Sequence, residues 1–227
     1  LGIVEGSDLK NEYIFVSAHY DHLGKKNDST IYYGADDDGS GTAALLTMAK
    51  TFMQAKNEGK GPRRSIVFTA FTGEEMGLLG SSYYSSHPVF PVKQSVADLN
   101  IDMIGRIDQQ HPVDSNYVYL IGSNRLSTEL HDLSEEVNTT HTHLSLDYTY
   151  NDPTDENQLY YRSDHYNFAK LGVPVIFYFT GLHEDYHKIT DTPDKLLYTK
   201  TATITKLVFL TAWQLANQDH RIQVDVK

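Results

Sequence analysis

Five short stretches of this chain carry side chains able to hold a cation or move a proton. In His19-Tyr20-Asp21 a carboxylate follows an imidazole by two residues. At that spacing it can accept from one ring nitrogen and leave the other free to ligate. Gly34-Ala35-Asp36-Asp37-Asp38-Gly39-Ser40-Gly41 sets three adjacent carboxylates among glycines, just before a helical pattern. One Asp there suffices to cap a helix. Three repel one another unless cations compensate them, and a carboxylate bridging two divalent ions would do so. Gly73-Glu74-Glu75-Met76-Gly77 follows an apolar run directly. Adjacent side chains diverge, so one carboxylate can ligate while its neighbour takes a proton from an activated water. Asn100-Ile101-Asp102-Met103 puts a lone carboxylate at an apolar strand end, where burial is costly without a partner or a metal. Tyr186-His187-Lys188-Ile189-Thr190-Asp191-Thr192 offers a second His, with an Asp four residues on that could orient it or cap the helix opened by Pro193. Together these stretches spell a hydrolytic two-metal centre with two His and three carboxylates as ligands and one Glu to spare. Nitrogen mixed with carboxylate oxygen suits zinc, with manganese or cobalt possible.

The elements that must position these groups read as alternating strands and helices, a layered α/β pattern. Tyr13–Ala18, Ser65–Phe71, Ser95–Asp102, Tyr117–Ile121 and Pro174–Phe179 read as strands. Residues 40–56 carry Ala44, Leu45, Met48, Ala49, Phe52 and Met53 at helical spacing, stopped by Gly59, Gly61 and Pro62. Residues 125–137 read as a helix, and Ile204, Leu207, Val208, Thr211 and Leu215 mark one face of another. The polar stretch from Asn138 to Asn157 reads as an irregular surface loop. His19, Asp21, Glu74, Glu75 and Asp102 all fall at or just past the C-terminal ends of strands, the edge of an open α/β sheet where ligands gather.

Bulk composition narrows the function classes. The chain has 227 residues with 40% hydrophobic content, enough for a sizeable core in one domain. A formal net charge of −11 speaks against nucleic acid and against an anionic membrane surface as partners. No apolar run approaches the ~20 residues that span a bilayer. Cysteine is absent, so any metal must be held by His and carboxylates. The chain opens at Leu1 in what reads as part of a strand, so a piece trimmed at its N-terminus is expected, with any targeting signal removed.

The ordered series His19-x-Asp21, Gly34-Ala35-Asp36-Asp37, Gly73-Glu74-Glu75-x-Gly77-Leu78-x-Gly80, Asp102-Met103 and Tyr186-His187-x-x-x-Asp191-Thr192 resembles the co-catalytic zinc aminopeptidase family. That family includes bacterial leucyl aminopeptidases, glutamate carboxypeptidase II and glutaminyl cyclases. The resemblance runs from about residue 12 to 195 and implies a three-layer α/β fold, helix/mixed β-sheet/helix, of the zinc-peptidase (phosphorylase/hydrolase-like) kind. It implies two zinc ions bridged by Asp37, one completed by His19 and Asp102, the other by Glu75 and His187. Glu74 would be the general base, Asp21 and Asp191 supporting residues, and Tyr186 a stabiliser of the tetrahedral intermediate. Ser163-Asp164-His165 resembles a family segment near the substrate pocket, which makes Asp164 and His165 pocket candidates. A cis peptide at Asp37-Asp38 is also implied. The substrate would be a peptide with a free N-terminus, and likeness to exported relatives implies a secreted, periplasmic or cell-envelope location.

Rival readings stay open. A carboxypeptidase would share the scaffold, as would a glutaminyl cyclase, although Tyr186 stands where the cyclases carry Trp. A non-catalytic relative is expected to have lost ligands that this chain keeps. Asp147, Asp152, Asp155 and Glu156 could form a calcium loop, but their spacing fits a solvated loop better, and His141 and His143 read as surface residues.

Overall fold

The computed structural model describes residues 1–226. The chain runs β1 (Gly2–Val4), β2 (Leu9–His19), β3 (Lys25–Asn27), β4 (Thr30–Ile31), α1 (Gly39–Asn57), β5 (Arg64–Phe71), α2 (Leu79–Ser86), β6 (Ser95–Ile101) and β7 (Tyr117–Ile121). It continues through α3 (Thr128–Val137), β8 (Ser145–Asp147), α4 (Tyr166–Ala169), β9 (Val175–Phe179) and α5 (Tyr198–Asn217). Seven strands make one mixed sheet in the order β1-β5-β2-β6-β9-β7-β8, while β3 and β4 form a separate hairpin. The central strands β5, β2, β6 and β9 are mutually parallel, so their C-terminal ends open on one edge.

Side chains alternate across β2 because a strand repeats every second residue. Ile14, Val16 and Ala18 join one core with Ala44, Met48 and Phe52 of α1 and Leu207, Val208 and Leu215 of α5. Phe15 joins the opposite core with Val67, Tyr84 of α2 and Phe168 of α4. Helices therefore cover both faces of a mixed sheet, the three-layer fold expected.

Local chemistry sets the helix ends. The Asp38 carboxylate accepts the Gly41 N–H at 2.9 Å and starts α1, satisfying one of its orphan donors. Gly59 follows its end at φ 75°, a left-handed conformation that glycine adopts without steric cost.

The stretch expected to be an irregular loop is more ordered than its polarity suggests. Asn138–Thr142 forms one π-helical turn, and Ser145–Asp147 is an edge strand parallel to β7. Asn138 holds the bend with its own amide, which donates to the Leu144 carbonyl and accepts its N–H, both at 2.9 Å. Such side-chain-to-backbone bonds leave no apolar period to read. Asp152 and Asp155 cap turns of their own, accepting the N–H groups of Thr154 and Asn157. Asp147 accepts the Thr149 N–H and lies 3.4 Å from His111. These acids serve local turns and do not converge on a calcium position.

Phe52 is fully buried, with the rings of Phe209, Trp213 and Phe68 at 4.6, 5.8 and 6.0 Å. Phe52→Ala should cost about 3–5 kcal/mol through lost burial and the cavity left behind. Urea unfolding should show a lower midpoint with an unchanged slope.

Candidate metal centre

Three parallel strands and two loops bring the acidic and imidazole groups together. His19 is the last residue of β2, Glu74 and Glu75 follow β5, and Asp102 follows β6. His187 lies beyond β9, in a left-handed conformation at φ 58°. A non-glycine residue held there signals a backbone constrained by its surroundings. The peptide between Asp37 and Asp38 is cis.

Asp37 occupies the middle and shows a different oxygen to each side. Its Oδ1 lies 3.3 Å from His19 Nε2, which is also 3.6 Å from Asp102 Oδ1 and 3.9 Å from Glu74 Oε2. Its Oδ2 lies 3.2 Å from His187 Nε2, which is 3.0 Å from Glu75 Oε2. A third imidazole stands on that second side: His22 Nδ1 is 2.8 Å from Glu75 Oε1 and 3.7 Å from Asp37 Oδ2. Two groups of side chains could each hold a metal ion among the described residues, His19 with Glu74 and Asp102, and His22 with Asp37 and Glu75. The residue set fits cations on a further ground. His19 Nε2, both His22 nitrogens, Asp37 Oδ2, Glu75 Oε1 and His187 Nε2 are buried without a hydrogen-bond partner, although interiors normally satisfy such atoms. Lone pairs converging from imidazole and carboxylate are what a zinc-like ion requires.

The three Asp of the glycine-flanked run have separate duties. Besides capping α1, Asp38 accepts the backbone N–H of His19 and of Met103, both at 3.2 Å, tying two strand ends to the start of the helix. Asp36 is fully buried, accepts the Gly105 N–H at 2.6 Å and lies 3.2 Å from His183 Nε2. That leaves Asp37 alone to face the centre. Gly34 makes the approach possible: a Cβ there would run into the Asp37 carbonyl and the His22 ring.

Two supporting residues act differently from expectation. His19 Nδ1 meets the backbone oxygen of Asp21 at 3.0 Å, whereas the Asp21 carboxylate is 3.7 Å away. That carboxylate instead accepts the N–H groups of Glu74 and Glu75 at 3.2 and 3.4 Å, holding the Glu-Glu turn. Asp191 neither orients His187 nor caps the turn at Pro193. Its carboxylate accepts the N–H of Asp36 and of Asp37, at 3.0 and 3.2 Å for Oδ2, and so fixes the loop that presents Asp37.

Electrostatics follow from burial. Burial, then the charge of Asp102, pushes the Glu74 carboxyl up to about 9. A cation on the neighbouring carboxylates would oppose that push. Burial disfavours a charged His19, but Asp102, Asp21 and Asp37 outweigh it and raise the imidazole.

The centre floors a cleft with about 360 Å³ of empty space, lined by the four carboxylates, Tyr186 and Arg162, with Met103, Leu159, Phe177, Phe179 and Leu182 forming its apolar part. Asp164 and His165, expected at this pocket, do not line it. Both are fully buried behind it, Asp164 accepting from the Ser81 hydroxyl and His165 stacked on Phe177 at 4.7 Å. Apolar surroundings push Asp164 up to about 7 and His165 down to about 3. Arg162 of the cleft lining and His22, which stands beside Glu75, are groups that sequence reading passed over. His22 carried one usable signal, since it follows His19 by three residues in the same strand-end loop.

Comparison with known proteins places the chain in a family. The sequence description of Peptidase family M28 matches residues 1–212. A probable leucine aminopeptidase of Arthroderma otae is 32% identical over 220 residues, 94% of this chain and 56% of that protein. Aminopeptidase YwaD of Bacillus subtilis is 36% identical over 107 residues, 46% of this chain and 21% of that protein. Among solved structures, a zinc aminopeptidase from Bacillus subtilis superposes with a TM-score of 0.76 at 23% identity, covering 100% of this chain and 53% of the other. The LapA aminopeptidase of Legionella pneumophila gives 0.75 at 23%, covering 94% and 53%. The chain thus spans little more than half of these proteins at most.

His22→Ala and His187→Ala separate the two imidazoles on the Glu75 side. Zinc titration followed by mass spectrometry should show His187→Ala binding less zinc than the unaltered chain and His22→Ala keeping the full complement with weaker affinity. The reverse result would exchange their roles.

Proposed function

Because the chain belongs to Peptidase family M28, we propose that it hydrolyses the N-terminal peptide bond of peptides as a two-zinc aminopeptidase. The observation that carries this reading is Asp37, whose two oxygens face two separate imidazole-and-carboxylate groups. His19 and Asp102 would hold one ion with Asp37 Oδ1, and Glu75 and His187 the other with Oδ2. Manganese or cobalt would suit the same donors. Zinc held there would polarise the scissile carbonyl and lower the pKa of a water molecule.

The chain's own residues supply the rest. Glu74 lines the cleft beside His19 and Asp102, where its carboxylate can take a proton from the attacking water and deliver it to the leaving amine. Tyr186 stacks on His187 at 3.8 Å, and burial raises its phenol, so it keeps its proton and can donate to the developing oxyanion. The carboxylates that line the cleft favour a substrate ammonium group, which suits a free N-terminus. Arg162 is the only lysine or arginine in that lining among the described residues and favours a second reading, a carboxypeptidase whose substrate carboxylate meets the guanidinium. Peptides blocked at either end decide between them. N-acetylation should abolish cleavage and C-terminal amidation should leave it intact; the opposite pattern would establish the carboxypeptidase.

Glu74→Gln keeps the shape of the side chain but cannot accept a proton. Turnover should fall roughly 10²–10⁴-fold, about 3–5 kcal/mol of transition-state stabilisation, with two zinc ions retained and KM little changed. Glu75→Gln should instead weaken one zinc site, and added zinc should restore part of the activity. Metal content and turnover of both variants check the assignment, and metal loss confined to Glu74→Gln would reverse it.

A further inference from the structure

A line of buried polar side chains runs from Asp102 into the sheet. Ser163 Oγ lies 2.8 Å from Asp102 Oδ2 and 2.9 Å from the Asn100 amide nitrogen. The Asn100 amide oxygen lies 2.9 Å from Ser17 Oγ, which is 2.8 Å from Asp98 Oδ1. Ser17, Asp98, Asn100 and Ser163 are at most 1% exposed, so bulk water does not reach this line. Asp98 Oδ2 has no hydrogen-bond partner among the described residues.

Counting protons along this line fixes its direction. A hydroxyl donates once, and an amide offers hydrogen only from its nitrogen. Asp102, as an ionised ligand, only accepts, so the Ser163 hydroxyl must donate to it. Ser163 must then accept from Asn100, which turns the amide nitrogen toward Ser163 and the amide oxygen toward Ser17. The Ser17 hydroxyl spends its single proton on that oxygen. The contact between Ser17 and Asp98 still needs a proton, and only Asp98 can provide it.

We infer that Asp98 is held as a neutral carboxylic acid and acts as a positioning residue, heading a one-way hydrogen-bond chain through Ser17, Asn100 and Ser163 that orients the Asp102 carboxylate. The inference rests on Asp102 being a metal ligand, as proposed above. It also explains how a carboxyl group tolerates the sheet interior with one partner, where an ionised one would be costly. The physical setting agrees: burial, with Asp164 nearby, pushes Asp98 up to about 8. An Asn at this position would serve the same purpose, since its amide N–H can donate to Ser17.

The test uses zinc-loaded protein at neutral pH. Infrared spectra should show the carbonyl band of a protonated carboxylic acid that disappears in Asp98→Asn and equally in Asp98→Ala, with Asp164→Asn as control for another buried acid. Asp98→Ala should weaken zinc binding up to about tenfold, the low end for residues that orient ligands, and Asp98→Asn should restore it to within about twofold. If wild type binds two zinc ions and loses no acid band in either variant, Asp98 is ionised and this inference alone falls. An Asp98→Asn protein that binds zinc no better than Asp98→Ala also overturns it. A wild-type chain that takes up no zinc removes the anchor at Asp102 and overturns the metal-centre reading together with this one.

Discussion

Carboxylates crowded at the edge of a sheet repel one another, and burial strengthens the repulsion by removing water. Asp37, Glu74, Glu75 and Asp102 line one cleft with three imidazoles among them. The surrounding fold holds them against that repulsion, and bound metal is the natural compensation. The convergent, unpartnered lone pairs on His19, His22, Asp37, Glu75 and His187 point the same way.

Rigid support comes mainly from other carboxylates gripping backbone. Asp38 ties the ends of β2 and β6 to the start of α1. Asp191 grips the N–H groups at 36 and 37, and Asp21 grips those at 74 and 75. His19, Asp37, Glu74, Glu75 and Asp102 thus sit on segments fixed by a neighbour's charge-assisted hydrogen bonds, which are stronger than neutral ones. The acidity of this chain is therefore partly structural. Besides the carboxylates facing the cleft, a second set is consumed in holding them there.

Positions at strand ends were legible because buried apolar runs such as Ile14–Ala18 and Ile66–Phe71 stop where the polar motifs begin. The order of those motifs led to the family and, through it, to His19, Asp37, Glu74, Glu75, Asp102, Tyr186 and His187, of which the fold sets the four carboxylates and Tyr186 in the cleft lining and the two imidazoles beside Asp37. Asp164 and His165 were misplaced for an understandable reason. They sit beside Ser163, which does reach Asp102, but the chain turns there into α4 and buries both side chains. The segment 138–157 resisted reading because its order comes from side-chain-to-backbone bonds, which leave no periodic trace.

Residue types, their order along the chain and the alternation of apolar runs determined the layered fold and the acid-and-imidazole character of the site, since these depend on local periodicity and on chemistry that each residue carries alone. Only the tertiary structure decided which carboxylate faces the centre and which grips backbone. Adjacent Asp36, Asp37 and Asp38 are indistinguishable by type, and their roles depend on which distant N–H groups reach them. His22 and the chain from Asp98 to Asp102 belong to the same class. Both depend on parallel strands far apart in sequence lying side by side, and no local pattern records that pairing.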